Sequence, residues 1–373
     1  MTATRWTSVV GLALAVCAFV TPATSARTAA GAFIDPFTTV STITSTVPRN
    51  GDVNPYGVAV APVTMGKLVA GDVLVSNFNN RQNLQGTGKT IVEISPSGQT
   101  QVFASIHTGG LPGLCPGGIG LTTALVALKS GWVVVGSLPT SDGTSQTAKA
   151  GCLLILNSMG EVVRTIFGAP INGPWDMTAA DNGDTATLFV SNVLNGTVKA
   201  NGAVVSQGTI LRIALSIPLN GTPSAELPFT PIATAFEERT DPSALVIGPT
   251  GLGLGADGTT LFVADTLRSR IAAIPNALMR MSDAVDGNTV AQGPPLKQPL
   301  GLAIAPDGHI ITVNAGNGQM VETTPDGKQA AARNVDISHS KNGAGSLFGL
   351  AIAFDGSAIY FVDDGNNTLN ALR

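Results

Sequence analysis

Charge is the scarcest property of this 373-residue chain: Asp, Glu, Lys and Arg make up only 12% of it, the formal net charge is −4, and no run of Lys or Arg occurs. A nucleic-acid surface needs clustered cations to displace counterions from phosphates, so that class of partner is excluded. Aromatic residues amount to 5%, and there are three His and three Cys. None of the patterns H-E-x-x-H, G-x-S-x-G or C-x-x-C occurs, which removes the usual signatures of zinc peptidases, serine hydrolases and dithiol redox proteins. No apolar run reaches the eighteen residues of a transmembrane helix, so no such segment is expected. The remaining partner classes are a small molecule or a protein, and a monomer is expected.

What the chain has instead is Gly (44), Pro (23) and many β-branched residues. That is the profile of short strands joined by tight turns. The N-terminus, MTATRWTSVVGLALAVCAFVTPATSA, has a cationic Arg5, an apolar run from Val9 to Val20 and a small-residue end at Thr24, Ser25 and Ala26. This is the layout of a secretory signal peptide (1–26) cleaved near Ala26, and a secreted or periplasmic location follows. Cys17 lies in LAVC, but Val16 stands where a lipoprotein signal wants a small residue, which disfavours a lipid anchor. The two cysteines left, Cys115 and Cys152, are expected to form a disulfide in an oxidising compartment.

Segments that begin near Pro and Gly and run into an apolar strand recur six times: NPYGVAVAP (54–62), PGGIGLTTALVAL (116–128), GPWDMTAAD (173–181), PTGLGLGADG (249–258), QPLGLAIAPDG (298–308) and LFGLAIAFDG (347–356). Each leads through a turn to a second strand ending in a short polar residue, as in DVLVSN, TTLFVAD and AIYFVDD, and then to a third and usually a fourth strand. The anchors Gly57, Gly120, Asp176, Gly251, Gly301 and Gly349 are 48 to 75 residues apart. Four antiparallel strands per repeat is a propeller blade, so the expected fold is an all-β, six-bladed β-propeller over 27–373 as one domain. The last copy stops after its third strand at Arg373, and FTTVSTITSTV (37–47) has no partner of its own. That N-terminal strand is predicted to complete blade six.

The pattern P-x-G-[VL]-A-[VI], then V-x-[DN], then I-x-x-[IT]-x-P-x-G resembles the NHL repeat, whose members form six-bladed propellers. The resemblance implies a fold more than an activity. The glycines Gly251 and Gly253 followed by Ala256 also fit a dinucleotide fingerprint, and QGTGKT (85–90) hints at a phosphate-binding P-loop. Neither is followed by a helix, so both are expected to be structural, the first inside an innermost strand and the second a turn.

The second strands end in Asn77, Ser137, Asn192, Asp265, Asn314 and Asp363, all pointing to one loop-rich face. Short oxygen-bearing side chains around one axis suit a hard cation such as Ca²⁺, which would be held by a subset of Asp176, Asn192, Asp265, Asn314 and Asp363; equally, such residues cap turns. PTGLGLGADGTTLFVADT also resembles a blade of the calcium-dependent gluconolactonase and senescence-marker family. There the resemblance implies metal ligands at an Asn and a final Asp: this chain keeps Asp265, has Thr250 at the Asn position, and has Asn54-Pro55-Tyr56-Gly57 where that family uses a liganding Glu. Asp176 replaces the anchor Gly beside Trp175; the pair is either a base or metal ligand with a stacking wall, or a strand cap with an inter-blade packing residue. His107 and His339 sit in connections on the same face and are candidate acid–base groups, whereas His309 falls on the opposite face. The segment ATAFEERTDPSA (233–244) reads as a long connection, either a lid over the mouth or a solvated charge cluster. Tyr56, Asn77, Trp175, Thr250 and Phe348 complete the set of candidate binding residues. The leading expectation is a binding or scaffold module acting through the loop-rich face; the alternative is a metal-assisted lactonase, esterase or lyase at the channel mouth.

Overall fold

A computed structural model of the protein describes residues 1–3, 31–338 and 346–373. The signal-peptide expectation and His339 lie outside the described residues. Ala32–Arg373 is one compact unit.

Six antiparallel sheets account for nearly all of its regular structure. Blade one runs from the axis outward as Val53–Val60, Val73–Asn79, Thr90–Ile94 and Thr100–Ser105, and blades two, four and five repeat the order with inner strands Leu121–Ala127, Pro249–Leu254 and Pro299–Ile304. Blade three is larger. Its strands Val205–Ser216 and Thr230–Asp241 are twelve residues each, and Leu245–Ile247 folds back on the latter. The segment 233–244 is therefore largely strand, because Ile232, Ala233 and Phe236 bury themselves in an apolar cluster with Phe189 and Leu252. The expectation of a loop there was misled by its charges, Glu237, Glu238, Arg239 and Asp241, which lie among these apolar positions.

Blade six holds Leu347–Ile352, Ile359–Asp363 and Thr368–Leu372, and its fourth strand is Val40–Ser45 from the other end of the chain. Val40 pairs with Leu372 and Ser45 with Thr368, and Thr38, Thr39 and Arg373 extend the ladder by three further backbone bonds. The approach to this strand is also fastened: the buried Glu322 carboxylate accepts the amides of Phe33 and Ile34 at 2.7 and 2.9 Å. Ile34 is itself buried among Ile311, Val313, Met320 and Leu372. The ring thus has no free half, and the inner strands touch in cyclic order from blade one to six and back to one.

The apparent phosphate loops are structural. A Cβ at Gly251 would lie 2.3 Å from the Leu300 carbonyl of the next blade; at Gly301 it would meet Phe348 O at 2.3 Å, and at Gly349 Tyr56 O at 2.2 Å. Adjacent inner strands approach backbone to backbone, which only glycine permits. In blade two, Leu121 is the residue opposite Ser137, as Pro55 is opposite Asn77 and Pro249 opposite Asp265. Gly120 therefore precedes its strand instead of anchoring it, and Thr122 and Thr123 follow at the crowded level. QGTGKT is a turn between the second and third strands of blade one, with Thr87 and Gly88 both donating to Phe78 O.

The disulfide Cys115–Cys152 forms as expected, with Cα atoms 5.3 Å apart and a sequence separation of 37. It ties the loop after His107 to the third strand of blade two.

Two stability predictions follow from this geometry. Gly301→Ala must push the Phe348 carbonyl aside and is expected to cost about 1–3 kcal/mol in equilibrium denaturation; a neutral result would contradict the close approach. Replacing both Cys115 and Cys152 by Ser is expected to lower stability by up to about 4 kcal/mol through the freed loop, read against the oxidised wild type.

Candidate functional site

The loop-rich mouth of the propeller is filled by side chains. Tyr56 of blade one stacks on Phe348 of blade six with ring centroids 3.9 Å apart and on Phe78 at 4.5 Å; Trp175 of blade three meets Tyr56 edge-on at 5.7 Å and Phe78 at 5.5 Å. Leu300 of blade five joins them, and Leu245 and Val246, from the turn beyond the long hairpin of blade three, pack into the same buried cluster. Residues of blades on different sides of the ring meet here, so the cluster closes the axis as an apolar plug. Each of Tyr56, Trp175 and Phe348 stands one residue before the crowded anchor position, where a side chain has nowhere to go except the axis. Burial, and then the nearby Asp364 carboxyl, push the Tyr56 hydroxyl well above its usual value. The short strand Leu245–Ile247 that follows 233–244 thus packs Leu245 and Val246 against the plug.

The polar ends of the second strands are buried, and each bonds nearby backbone or side chains of its own blade or of the connection entering it. Asn77 Nδ2 donates to Thr46 O at 3.0 Å, binding the start of the crossover from the closing strand. Ser137 Oγ donates to Gly118 O and accepts from Gly120 N, both at 3.0 Å. Asn192 Oδ1 accepts from Asn172 N and Gly173 N, and Asn314 Nδ2 donates to Pro295 O and Asn317 Oδ1. Asp363 accepts from Gly365 N at 3.0 Å. Asp265 is ion-paired: Arg270 Nε donates to it at 2.7 Å, and the same guanidinium reaches Thr289 and Asp286. Thr250 shares a 3.0 Å hydroxyl contact with Thr266 and donates to Gly248 O. Asn54 has a left-handed backbone (φ 64°), and its amide donates to Asn367 Oδ1. Asn77 Oδ1, Asp265 Oδ1 and Asn314 Oδ1 are left buried without a partner, yet the set as a whole fits a calcium site at the mouth poorly. A guanidinium occupies Asp265, a hydroxyl replaces one Asn ligand, and apolar rings fill the axis where the ion would sit.

Below the plug the channel is open. A cavity of about 670 Å³ is walled by the second halves of all six inner strands and reaches the face of the first-to-second-strand turns, at Pro62, Lys129, Asp181, Pro306 and Phe354. Asp176 lies at its closed end, level with Gly301 and Gly349. Its backbone amide is held to Ser191 Oγ at 2.9 Å, and its Oδ1 accepts from Met177 N at 2.6 Å. Burial holds its carboxyl well above the usual carboxylate range. Asp176 and Asp265 are thus separate: one faces the channel, the other is locked inside blade four.

His107 is exposed, ahead of the short turn Thr108–Gly110, and nothing brings it to the channel. His309, on the opposite face, bonds the buried Glu322 that fastens the N-terminal segment. Sequence reasoning missed Asp364 and took Glu238 only as part of a charged connection; with Asp363, named there as a candidate ligand, they are acids whose protons burial holds. Burial and then Asp363 and Asp336 raise Asp364 to about 8; burial and then Asp336 raise Asp363 to about 6; burial raises Glu238 to about 8, although Asn195 N donates to it at 3.0 Å. The doublet in FVDDGN was a visible signal for the first two. For Glu238 the signal was its place two residues after the buried Phe236 in a strand of alternating burial.

No protein-family model and no curated protein matches the sequence. Solved structures do match in shape. A gluconolactonase from Xanthomonas campestris superposes with a TM-score of 0.54 at 13% identity, covering 89% of this chain and 88% of that one. The calcium-binding protein regucalcin from Agrobacterium tumefaciens gives 0.52 at 16% identity, with 88% and 92% covered. A putative glucose dehydrogenase from Thermus thermophilus gives 0.51 at 15%, with 90% and 99% covered. The chain shares their six-bladed fold. At this identity the likeness speaks for architecture alone.

The buried acids predict a pH dependence. An unfolded Asp or Glu ionises near pH 4, whereas Asp363, Asp364 and Glu238 keep their protons to about 6, 8 and 8 in the folded chain. Between these values the folded state binds more protons, so their contribution to stability is lost as pH rises from about 4 to about 8. Denaturation midpoints should fall from pH 5 to pH 8, and Glu238→Gln should lessen the fall and raise stability at pH 8. A slope unchanged by Glu238→Gln would contradict the protonated assignment.

Proposed function

We propose that this protein is an exported, monomeric, NHL-type binding propeller whose small-molecule site is the central channel. The observation that carries the reading is the channel's asymmetry: sealed at the loop-rich mouth by Tyr56, Phe78, Trp175 and Phe348, and open below as a cavity of about 670 Å³ with one carboxyl at its closed end. Cavities of roughly 300–1,000 Å³ with a few placed polar groups are the usual form of small-molecule sites. The Cys115–Cys152 disulfide supports an oxidising compartment and so the export reading.

A metal-assisted lactonase of the kind represented by the gluconolactonase neighbour is the rival. It requires a cation at a mouth where Arg270 is bonded to Asp265, Thr250 stands at the position of an Asn ligand and apolar rings fill the axis. The donor set at the mouth supports binding over that chemistry.

A thermal-shift screen of small molecules against the wild type and Ala303→Phe, which places a ring in the channel wall, tests the reading. Ligands are expected to stabilise the wild type and to lose that effect in Ala303→Phe. Arg239→Ala, on the segment leading to the mouth, should leave it intact. Chelator-sensitive hydrolysis of lactones or esters, abolished by Asp265→Asn in a folded protein, would sink the proposal in favour of the enzyme.

A further inference from the structure

Among the described residues, three charged side chains line the cavity: Asp176, Lys129 and Asp181. At the rim, Lys129 Nζ donates to Asp181 O at 2.9 Å, and the Lys129 amide donates to Asp181 Oδ2 at 2.6 Å, so these two are matched to each other. Among the described residues Asp176 has no such match: its carboxyl accepts only the Met177 amide, and Gly301, Gly349, Leu252, Val58 and Thr123 line the same cavity. A lone carboxyl in such a place costs free energy unless a hydrogen-bonded or cationic partner arrives. It also stands at a level where four other blades carry glycine, so neither packing nor turn formation calls for it.

A hard metal ion is a poor partner, because Ca²⁺ takes six to eight oxygen ligands and the closed end offers one carboxylate. An ammonium group needs only a counter-ion and a few acceptors, which the carboxylate and the channel-facing edges of the inner strands supply. The rest of the cavity, from Leu252 and Leu302 down to Ile352, Pro306 and Phe354, suits an apolar remainder.

Resting on the channel being the binding site, we propose that its ligand is an organic amine, bound as an ammonium ion with Asp176 as counter-ion and its hydrocarbon part along the channel toward Phe354. An ammonium ion that meets the Asp176 carboxylate forms an ion pair with it. No bond to carbon forms or breaks.

Calorimetric titration with n-hexylammonium, n-hexanol and hexanoate tests the class. Hexylammonium is expected to bind at least tenfold more tightly than either of the others. Asp176→Asn, shown to be folded by circular dichroism and melting, should weaken hexylammonium at least tenfold; Asp176→Ser is a second variant should the first not fold. Equal binding of hexanol, or an unchanged hexylammonium affinity in Asp176→Asn, overturns the amine proposal while leaving the channel as the site, provided Ala303→Phe abolishes that binding. Binding of no probe to the wild type, or binding unaltered by Ala303→Phe, overturns the channel reading and the amine with it.

Discussion

The approach of the inner strands at the axis is the constraint on which the rest depends. Six strands brought together around one line leave no room for a Cβ between Gly251 and the Leu300 carbonyl, or between Gly349 and that of Tyr56. That crowding selects glycine at the contact level in blades one, four, five and six, and the residue before that level, Tyr56, Trp175, Leu300 or Phe348, fills the axis. The plug is therefore a consequence of the ring's tightness combined with large apolar choices at one register position. Had those positions carried small polar residues, the same fold would have an open polar mouth.

Closure of the ring holds the strands at this separation. It depends on two distant parts of the chain, the pairing of Val40–Ser45 with the last strand and the capture of the Phe33 and Ile34 amides by Glu322. A buried carboxylate receiving two amides and a histidine is well satisfied, which gives His309 and Glu322 a structural role. The acids that burial keeps protonated, Asp363, Asp364 and Glu238, lie near the sealed mouth. They make that end of the molecule sensitive to alkali without making it a site.

Much of the fold was legible in the residues. The six Pro-Gly-apolar segments gave the blades, the missing strand after Arg373 pointed to the N-terminal one, and Cys115 with Cys152 paired as their even number implied. Failures arose where a local pattern had two physical readings. Gly120 looked like an anchor, but blade two enters its strand one residue later; 233–244 looked like a loop because charged residues alternate with the buried ones that make it a strand. For the candidate site, Asp176 stood out as a departure from glycine, and Tyr56, Trp175 and Phe348 were named only as candidate binding residues. The side chains' packing into a plug was not legible, because which side of a crowded strand a ring fills is decided by contacts between blades far apart in sequence. The ring of Asn and Asp at the second-strand ends was ambiguous from the start: several of its members bond turn or connection backbone, while Asp265 is paired with Arg270.

The central claim is that the channel is sealed at the loop-rich mouth and accepts a cationic ligand from the opposite face. A crystal structure grown with saturating n-hexylammonium and Ca²⁺ together tests it most directly. The account predicts density for the amine beneath Trp175, its nitrogen within hydrogen-bonding distance of Asp176, with the aromatic plug unmoved and no calcium at Asp265. Calcium coordinated by Asp265 at an opened mouth, with the channel empty, would contradict it.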